Sequence, residues 1–437
     1  MTEPTPAAQP PLPEPEGLLA RRRFIGAGSA LALGLLSAQG RLIAEEFTPS
    51  PSAIPGAVEP VGCAVIGLGE HGRALLTALT NVPGADVRWL CDGYEATHKR
   101  ALEIFPRATA TTEAKKVLDD PAVRAVWIAT PTHLHRELAL SALQAGKHVY
   151  CEAPLAGTVE DARAIALAAQ AATAQVFHAG LQLRTDPQHK HVLSFVRTGA
   201  LGTIAQCQGH NHRRSSWRRI ASNDERQRAL NWRLAKATSS GLLGEIGIHQ
   251  LDVASWFIKA LPLSVTGFGA IRCWKDGREV HDTVQCIVEY PDGLRFLYDA
   301  TLANSFDSAG ELFQGSEAAV LIRDHRAWMF KEADSTALGW EVYAYREKIG
   351  DDTGIALVAD ATKILAAGKQ PGENREVDPR RTPLVCASEA FLTAVREKKQ
   401  SACPALIGFQ ATVAALKAHE ATITGGTVVF QKEWFEL

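Results

Sequence analysis

A short apolar run that breaks into closely spaced glycines constrains this chain more than any other feature. Val61-Gly62-Cys63-Ala64-Val65-Ile66 is rich in apolar and β-branched residues and reads as a buried strand. It runs straight into Gly67-Leu68-Gly69-Glu70-His71-Gly72. Arg73 to Leu79 then reads as a helix, and Asp86 to Cys91 as a second strand that ends at Asp92. Strand, glycine turn, helix, strand and acid at this spacing form a βαβ unit suited to a dinucleotide. Gly67 permits the tight turn, and Leu68 follows it. Gly69 leaves room for a pyrophosphate near the backbone, and Gly72 lets the helix pack closely on the strand. The helix amino terminus then offers free N–H groups and its positive dipole end to the phosphates.

Asp92 is placed to accept hydrogen bonds from adenosine ribose hydroxyls, which favours NAD over NADP. His98, Lys99 and Arg100, one to two turns into the next helix, would offset the repulsion of a 2′-phosphate, so NADP stays possible. The other reading of Asp92 is a helix cap.

The alternation continues. Ala125 to Ala129 is an apolar strand ending at Thr130-Pro131-Thr132-His133-Leu134-His135, followed by a helix from Arg136 to Ala145 that Gly146 stops. Lys147 to Cys151 is the next strand and leads to Glu152-Ala153-Pro154. An alanine-rich helix from Val159 to Thr173 and a strand from Gln175 to Ala179 complete the pattern. Strands alternating with helices imply a doubly wound parallel sheet with ligands at the strand carboxyl ends. Beyond Gly202 the strands crowd together: Ile204 to Gly209, Ser264 to Trp274, Thr283 to Tyr290, Leu294 to Thr301 and Ala319 to Ile322, with a hairpin signal at Pro291-Asp292-Gly293. Thr382 to Glu397 and Ala405 to Thr422 read as helices, and the stretch from Ala333 to Arg380 as polar and irregular. The expected division is a dinucleotide-binding α/β domain over 61–185 and an α+β domain over 186–437 for substrate and oligomer contacts.

The 437 residues carry a net charge of −2, too little positive charge for a nucleic-acid binder. The basic run His210-Asn211-His212-Arg213-Arg214 with Trp217-Arg218-Arg219 reads as a solvated or cofactor-facing segment. The eight cysteines include no Cys-x-x-Cys pair and read as small buried hydrophobes rather than as metal ligands or disulfides.

Ahead of the first strand, Arg21-Arg22-Arg23-Phe24-Ile25-Gly26 precedes an apolar stretch from Ala27 to Ala38. This is a secretory signal, too short for a bilayer span, and it resembles the twin-arginine consensus. The expected signal region is 1–44 and the linker 45–60. That route carries folded proteins, so the chain is expected in the periplasm or outside the cell, with a dinucleotide already and tightly bound.

Val65-Ile66-Gly67-Leu68-Gly69, Ala129 to His135 through Ala145 to Val149, Cys151 to Ala156, and Gly241-Leu242-Leu243-Gly244-Glu245-Ile246-Gly247-Ile248-His249-Gln250-Leu251-Asp252 together resemble the Gfo/Idh/MocA oxidoreductases. The export signal is similar to that of the periplasmic glucose–fructose oxidoreductase branch. The resemblance implies a second domain with an open, mostly antiparallel sheet, a sugar or polyol substrate, and a homo-oligomer. It matches His249 to the catalytic base that takes a substrate hydroxyl proton. Glu245 stands where the family has aspartate and would orient His249 or bind a hydroxyl, and Asp252 matches the supporting acid. Spaced i, i+4 and i+7, the three are expected on one helix face. Thr130, Pro131, His135, Glu152 and the Trp232-Arg233 pair are expected at the nucleotide. Arg184 is a further candidate, or a buried structural arginine.

One departure stands out. The family has Glu-Lys-Pro where this chain has Glu152-Ala153-Pro154, so the lysine that stabilises developing negative charge is missing. A preorganised group of this kind contributes on the order of 3 kcal/mol. Three accounts follow: His249 acts alone with slow turnover, a cation from the second domain such as Arg213, Arg214 or Arg233 replaces the lysine, or the overall reaction is not simple oxidation. The alternatives are a nicotinamide-dependent glycosidase, working by transient oxidation and elimination, and a non-catalytic dinucleotide-binding protein.

Overall fold

The strand-and-helix alternation of the first half closes into one parallel sheet. The computed structural model describes residues 58–359, 361 and 378–437; the signal region and all but the last three linker residues lie outside them. The sheet is built from β1 (Val61–Ile66), β2 (Ala85–Cys91), β3 (Thr109–Thr111), β4 (Ala125–Ile128), β5 (His148–Glu152) and β6 (Phe177–Gly180). Its order is β3-β2-β1-β4-β5-β6, with every pairing parallel. Every residue of β1 and β4 is buried, because helices cover both faces of a parallel sheet. The order reverses between β1 and β4, which opens a crevice at their carboxyl ends. The intervening helices are α1 (Glu70–Leu79), α2 (His98–Ile104), α3 (Ala114–Asp119), α4 (His135–Gln144) and α5 (Val159–Ala171). The sequence pattern misses β3 and α3, which are only 3 and 6 residues long and carry no clear period.

After α6 (Pro187–Arg197) comes a second sheet, of 10 strands. It comprises β7 (Ile204–His212), β8 (Ser264–Ala270), β9 (Thr283–Glu289), β10 (Arg295–Thr301), β11 (Ala309–Gly315), β12 (Ala318–Arg323), β13 (Arg326–Lys331), β14 (Arg346–Ile349), β15 (Asp352–Leu357) and the terminal β16 (Thr427–Val429). Its pairings are antiparallel except for β7 with β10. The expected α/β fold with an open, mostly antiparallel second sheet is therefore what the chain adopts. The stretch from Ala333 to Arg380 is not wholly irregular, since β14 and β15 extend the sheet through β13. Their composition hides them: β14, Arg346-Glu347-Lys348-Ile349, lies on an edge and is mostly charged.

Short helix α7 (Asp224–Leu230) and helix α8 (Ile248–Ile258) follow β7. The last two long helices tie the sheets together. α9 (Pro383–Glu397) returns to the first sheet, where Phe391 packs edge-on against Trp127 of β4 with ring centroids 5.1 Å apart. α10 (Ala405–Thr424) lies against α5 and β6 of the first sheet and against β8 and β9 of the second. Small residues let it come close: a Cβ at Gly408 would sit 2.5 Å from the Ala179 side chain. The described residues from Glu59 to Leu437 accordingly form one compact unit. No described helix is long and apolar enough to cross a membrane.

Phe391 is fully buried under the first sheet. Phe391→Ala is expected to destabilise the chain by about 3–5 kcal/mol in denaturant unfolding. A loss below about 1 kcal/mol would mean that α9 does not cover this face.

Candidate active site

The crevice begins at the glycine turn. Gly67 has φ +97°, and a Cβ there would lie 2.5 Å from the Ala129 carbonyl oxygen and 2.7 Å from Thr130 N. Only glycine lets the β1 and β4 ends approach so closely. A Cβ at Gly72 would collide with the Gly67 carbonyl oxygen, so α1 packs directly on the turn. Gly69 is different: nothing lies within 4 Å of its Cβ position. It is the N-cap of α1, and no side chain caps that helix. Open space at Gly69 before free helix N–H groups forms a cradle that fits a pyrophosphate.

Asp92 steadies this turn. Its carboxylate accepts hydrogen bonds from Leu68 N at 2.8 Å and Tyr94 N at 2.8 Å. A carboxylate has about four lone-pair sites, so two remain for ribose hydroxyls. His98 turns inward, with its Nε2 3.1 Å from the Asp92 carbonyl oxygen, and does not serve as a phosphate-facing cation.

His135, expected at the nucleotide, is a staple instead. It is 2% exposed, and its two ring nitrogens lie 3.0 Å from the carbonyl oxygens of Pro154 and Thr130. It joins the β4 and β5 loops, and burial holds its pKa below the ordinary value. Thr130 Oγ1 is buried beside Pro131 with no described partner. Trp232 packs 6.0 Å from the His133 ring of the same loop, and the Arg233 guanidinium stacks 4.3 Å over Trp232.

The histidine helix does not present its three polar residues as one group. Leu243–Gly247 is a π-turn leading into α8. Its wider turn breaks the simple i, i+4 relation of Glu245 and His249. Glu245 accepts hydrogen bonds from Arg233 Nε at 3.0 Å and Ser240 Oγ at 2.6 Å. Asp252 is bound in bidentate fashion by Arg184, at 2.8 and 2.9 Å. Neither carboxylate is bonded to His249. The expectation that Glu245 and Asp252 orient it is corrected: each is committed to its own arginine. Arg184 is accordingly a structural arginine, 12% exposed at its side chain.

His249 stands apart and faces other charges. Burial pushes its imidazole down to about 4; Glu152 opposes this, and His71 and Arg213 reinforce it. Its Nδ1 is buried without a described partner, as is the Tyr298 hydroxyl on β10. The Tyr298 ring lies against Gly247 of the π-turn, where a Cβ would be 3.0 Å from it. Together with Thr130 Oγ1, these orphaned polar atoms suit a polar ligand.

Sequence reasoning missed His71. From the first turn of α1 its Nε2 reaches Glu152 Oε1 at 2.9 Å. Gln182 Nε2 donates to the other Glu152 oxygen at 3.2 Å. A Cβ at Gly180 would stand 2.4 Å from that oxygen, so the glycine makes room for the carboxylate. The signal was a titratable residue inside the glycine motif. Tyr298 had no signal beyond strand alternation.

Residues 61–179 match the family model described as "Oxidoreductase family, NAD-binding Rossmann fold", and residues 189–319 match "GFO/IDH/MocA C-terminal domain". Inositol 2-dehydrogenase 1 of Paenarthrobacter aurescens is 32% identical over 316 residues, covering 66% of this chain and 87% of that protein. The chain belongs to the Gfo/Idh/MocA family. Levoglucosan dehydrogenase of Pseudarthrobacter phenanthrenivorans is 30% identical over 223 residues, which span 46% of this chain and 55% of that relative. A solved structure of levoglucosan dehydrogenase in complex with NADH has the same fold, with TM-score 0.70 and 20% identity over 85% of this chain and all of that one. The Gfo/Idh/MocA match makes NAD the cofactor of the first sheet, and the Gly69 cradle, the uncapped α1 and the free lone pairs of Asp92 fit it. Of the expected substitutes for the family lysine, Arg233 is bound to Glu245, and Arg214 donates to the Ala303 carbonyl. The Arg213 guanidinium donates to the Asn211 side-chain oxygen, at 3.2 and 3.3 Å.

Gly69→Ala separates binding from folding. The free chain has room for the methyl group, so its melting temperature is expected to hold. NAD affinity measured by calorimetry is expected to fall at least about tenfold, because the methyl group fills the pyrophosphate space. Unchanged affinity would place the nucleotide elsewhere.

Proposed function

We propose that the chain oxidises a hydroxyl of a sugar or polyol, with His249 as general base and NAD held at the glycine turn. The observation that carries this reading is His249 itself. It is an imidazole kept neutral by burial, with an unpartnered nitrogen, within electrostatic reach of Glu152 at the end of β5. A neutral imidazole can accept the hydroxyl proton, and Glu152 stabilises the imidazolium that results. When bound, NAD supplies the hydride acceptor. Thr130 Oγ1 and the Tyr298 hydroxyl are buried without described partners, and Trp232 with Arg233 walls the crevice.

A second reading rests on Ala153. Without the lysine, transient oxidation followed by elimination and re-reduction makes the chain a glycosidase that needs no net oxidant. One comparison separates the two. The purified chain is incubated with NAD, then with sugars, polyols and aryl glycosides, while nucleotide absorbance and aglycone release are followed. Reduction without release supports the oxidoreductase. Release without net reduction supports the glycosidase. Bound nucleotide with neither change supports a binding protein.

His249→Ala is expected to abolish turnover in either case. The pH profile gives a further check. The folded pKa is depressed to about 4, so the base is neutral and active above that value. Activity should fall only as pH drops through about 4. An acid limb at the ordinary histidine value would remove His249 from this role.

We also infer twin-arginine export to the periplasm with the dinucleotide already held. Support comes from the Arg21-Arg22-Arg23 signal and from thiols that are all unpaired, as folding in a reducing compartment requires. Nicotinamide nucleotide bound to chain isolated from the periplasm is the expected result; bare protein there would overturn it.

A further inference from the structure

The missing lysine leaves a question of charge, and the glycine turn supplies an answer. Ala153 offers no cation next to Glu152, but an imidazole stands there. His71 meets Glu152 from across the crevice at 2.9 Å. Two features aim the carboxylate there. Gly180 vacates the space it occupies, and Gln182 holds its second oxygen. The loop that carries Ala153 is fixed too. Leu155 N donates to Thr412 Oγ1 of α10 at 3.0 Å, and His135 grips the Pro154 carbonyl.

We propose that His71 is the cationic residue that meets the reacting hydroxyl in place of the family lysine, with His249 as its basic counterpart. This rests on the function proposed above and deepens it. The hydroxyl proton passes to His249. The C–H bond breaks, its electron pair and hydrogen leave as hydride to NAD, and the C–O bond becomes a carbonyl. His71 keeps its proton throughout and stabilises the oxygen as negative charge builds on it.

The electrostatics of the crevice agree with the geometry. The Glu152 carboxylate holds the His71 imidazole above its ordinary value, while burial holds His249 below it. Two like groups driven apart in this way share a pH range in which one is a cation and the other a neutral base. The charged neighbours of His71 are Glu152 on β5, Glu70 on its own helix and Arg233 after α7, with His249 on α8 coupled to it. Arg219 pairs with Glu70, and Glu245 with Arg233, so Glu152 dominates. His71 is 44% exposed at its side chain, as a residue that touches substrate must be.

The test uses the full folded chain, His71→Gln, Glu152→Gln, His71→Ala and the double variant His71→Ala/Ala153→Lys. Imidazole nitrogen shifts are followed by NMR against pH, NAD affinity by calorimetry, and kcat by nucleotide absorbance. Besides buried His189, held up by Asp186 and Glu311, a second imidazole of the unsubstituted chain should titrate above the ordinary histidine value. That signal should be absent in His71→Gln and should move to lower pH in Glu152→Gln. NAD affinity should be unchanged in His71→Gln, while kcat falls at least about 100-fold. The double variant should recover at least about tenfold over His71→Ala, because the lysine restores the charge. The alkaline limb of the kcat profile should follow the His71 titration. A His71→Gln variant with undiminished kcat, or a double variant no better than His71→Ala, overturns the assignment of His71 alone. An unsubstituted chain that takes up no NAD, or binds it and turns over nothing, overturns the underlying reading of the site instead.

Discussion

The backbone contact between Gly67 and the Ala129-Thr130 peptide is the constraint on which the crevice depends. With a Cβ position only 2.5 Å from a carbonyl oxygen, no other residue fits there without parting β1 from β4. That contact brings the α1 amino terminus, the β4 loop and the β5 end to one place. The side chains that stand at those ends are His71 on α1, Thr130 after β4 and Glu152 closing β5.

The second sheet adds the remaining half of the site, and α10 fixes the two halves together. It contacts α5 and β6 on one side and β8 and β9 on the other, through small side chains that allow close packing. A π-turn then delivers His249 into the crevice while turning Glu245 and Asp252 to separate arginines. The outcome is a divided set of charges. The carboxylates of Glu245 and Asp252 are satisfied and structural. Glu152 of the crevice faces His71 and Gln182 instead, with His249 nearby.

Most of the architecture was legible in the residues because it rests on local periodicity. The strand–glycine–helix–acid run placed β1, α1 and β2 within a residue or so at most boundaries, and the hairpin signal at Pro291-Asp292-Gly293 does join β9 to β10. Other elements escaped: β3 and α3 have too few residues to show a period, β14 is a charged edge, and α6, β11, β13, β15 and β16 were not read from the pattern either. Among site residues, Gly67, Gly69, Gly72 and Asp92 follow from spacing alone. His135 was misread because a histidine after a strand end signals polarity but not direction. Its ring points into the protein to join two loops.

The sequence by itself determined that a dinucleotide-type turn follows the first strand, that a histidine helix lies far downstream, and that Ala153 stands where the resemblance implies a lysine. It determined these because they are properties of neighbouring residues. Only the tertiary structure decided which charges meet. His71 and Glu152 are 81 positions apart in the chain yet 2.9 Å apart in space. A salt contact of that kind depends on how β1 and β5 are ordered in the sheet and on the gap that Gly180 leaves, and neither is written in any local pattern.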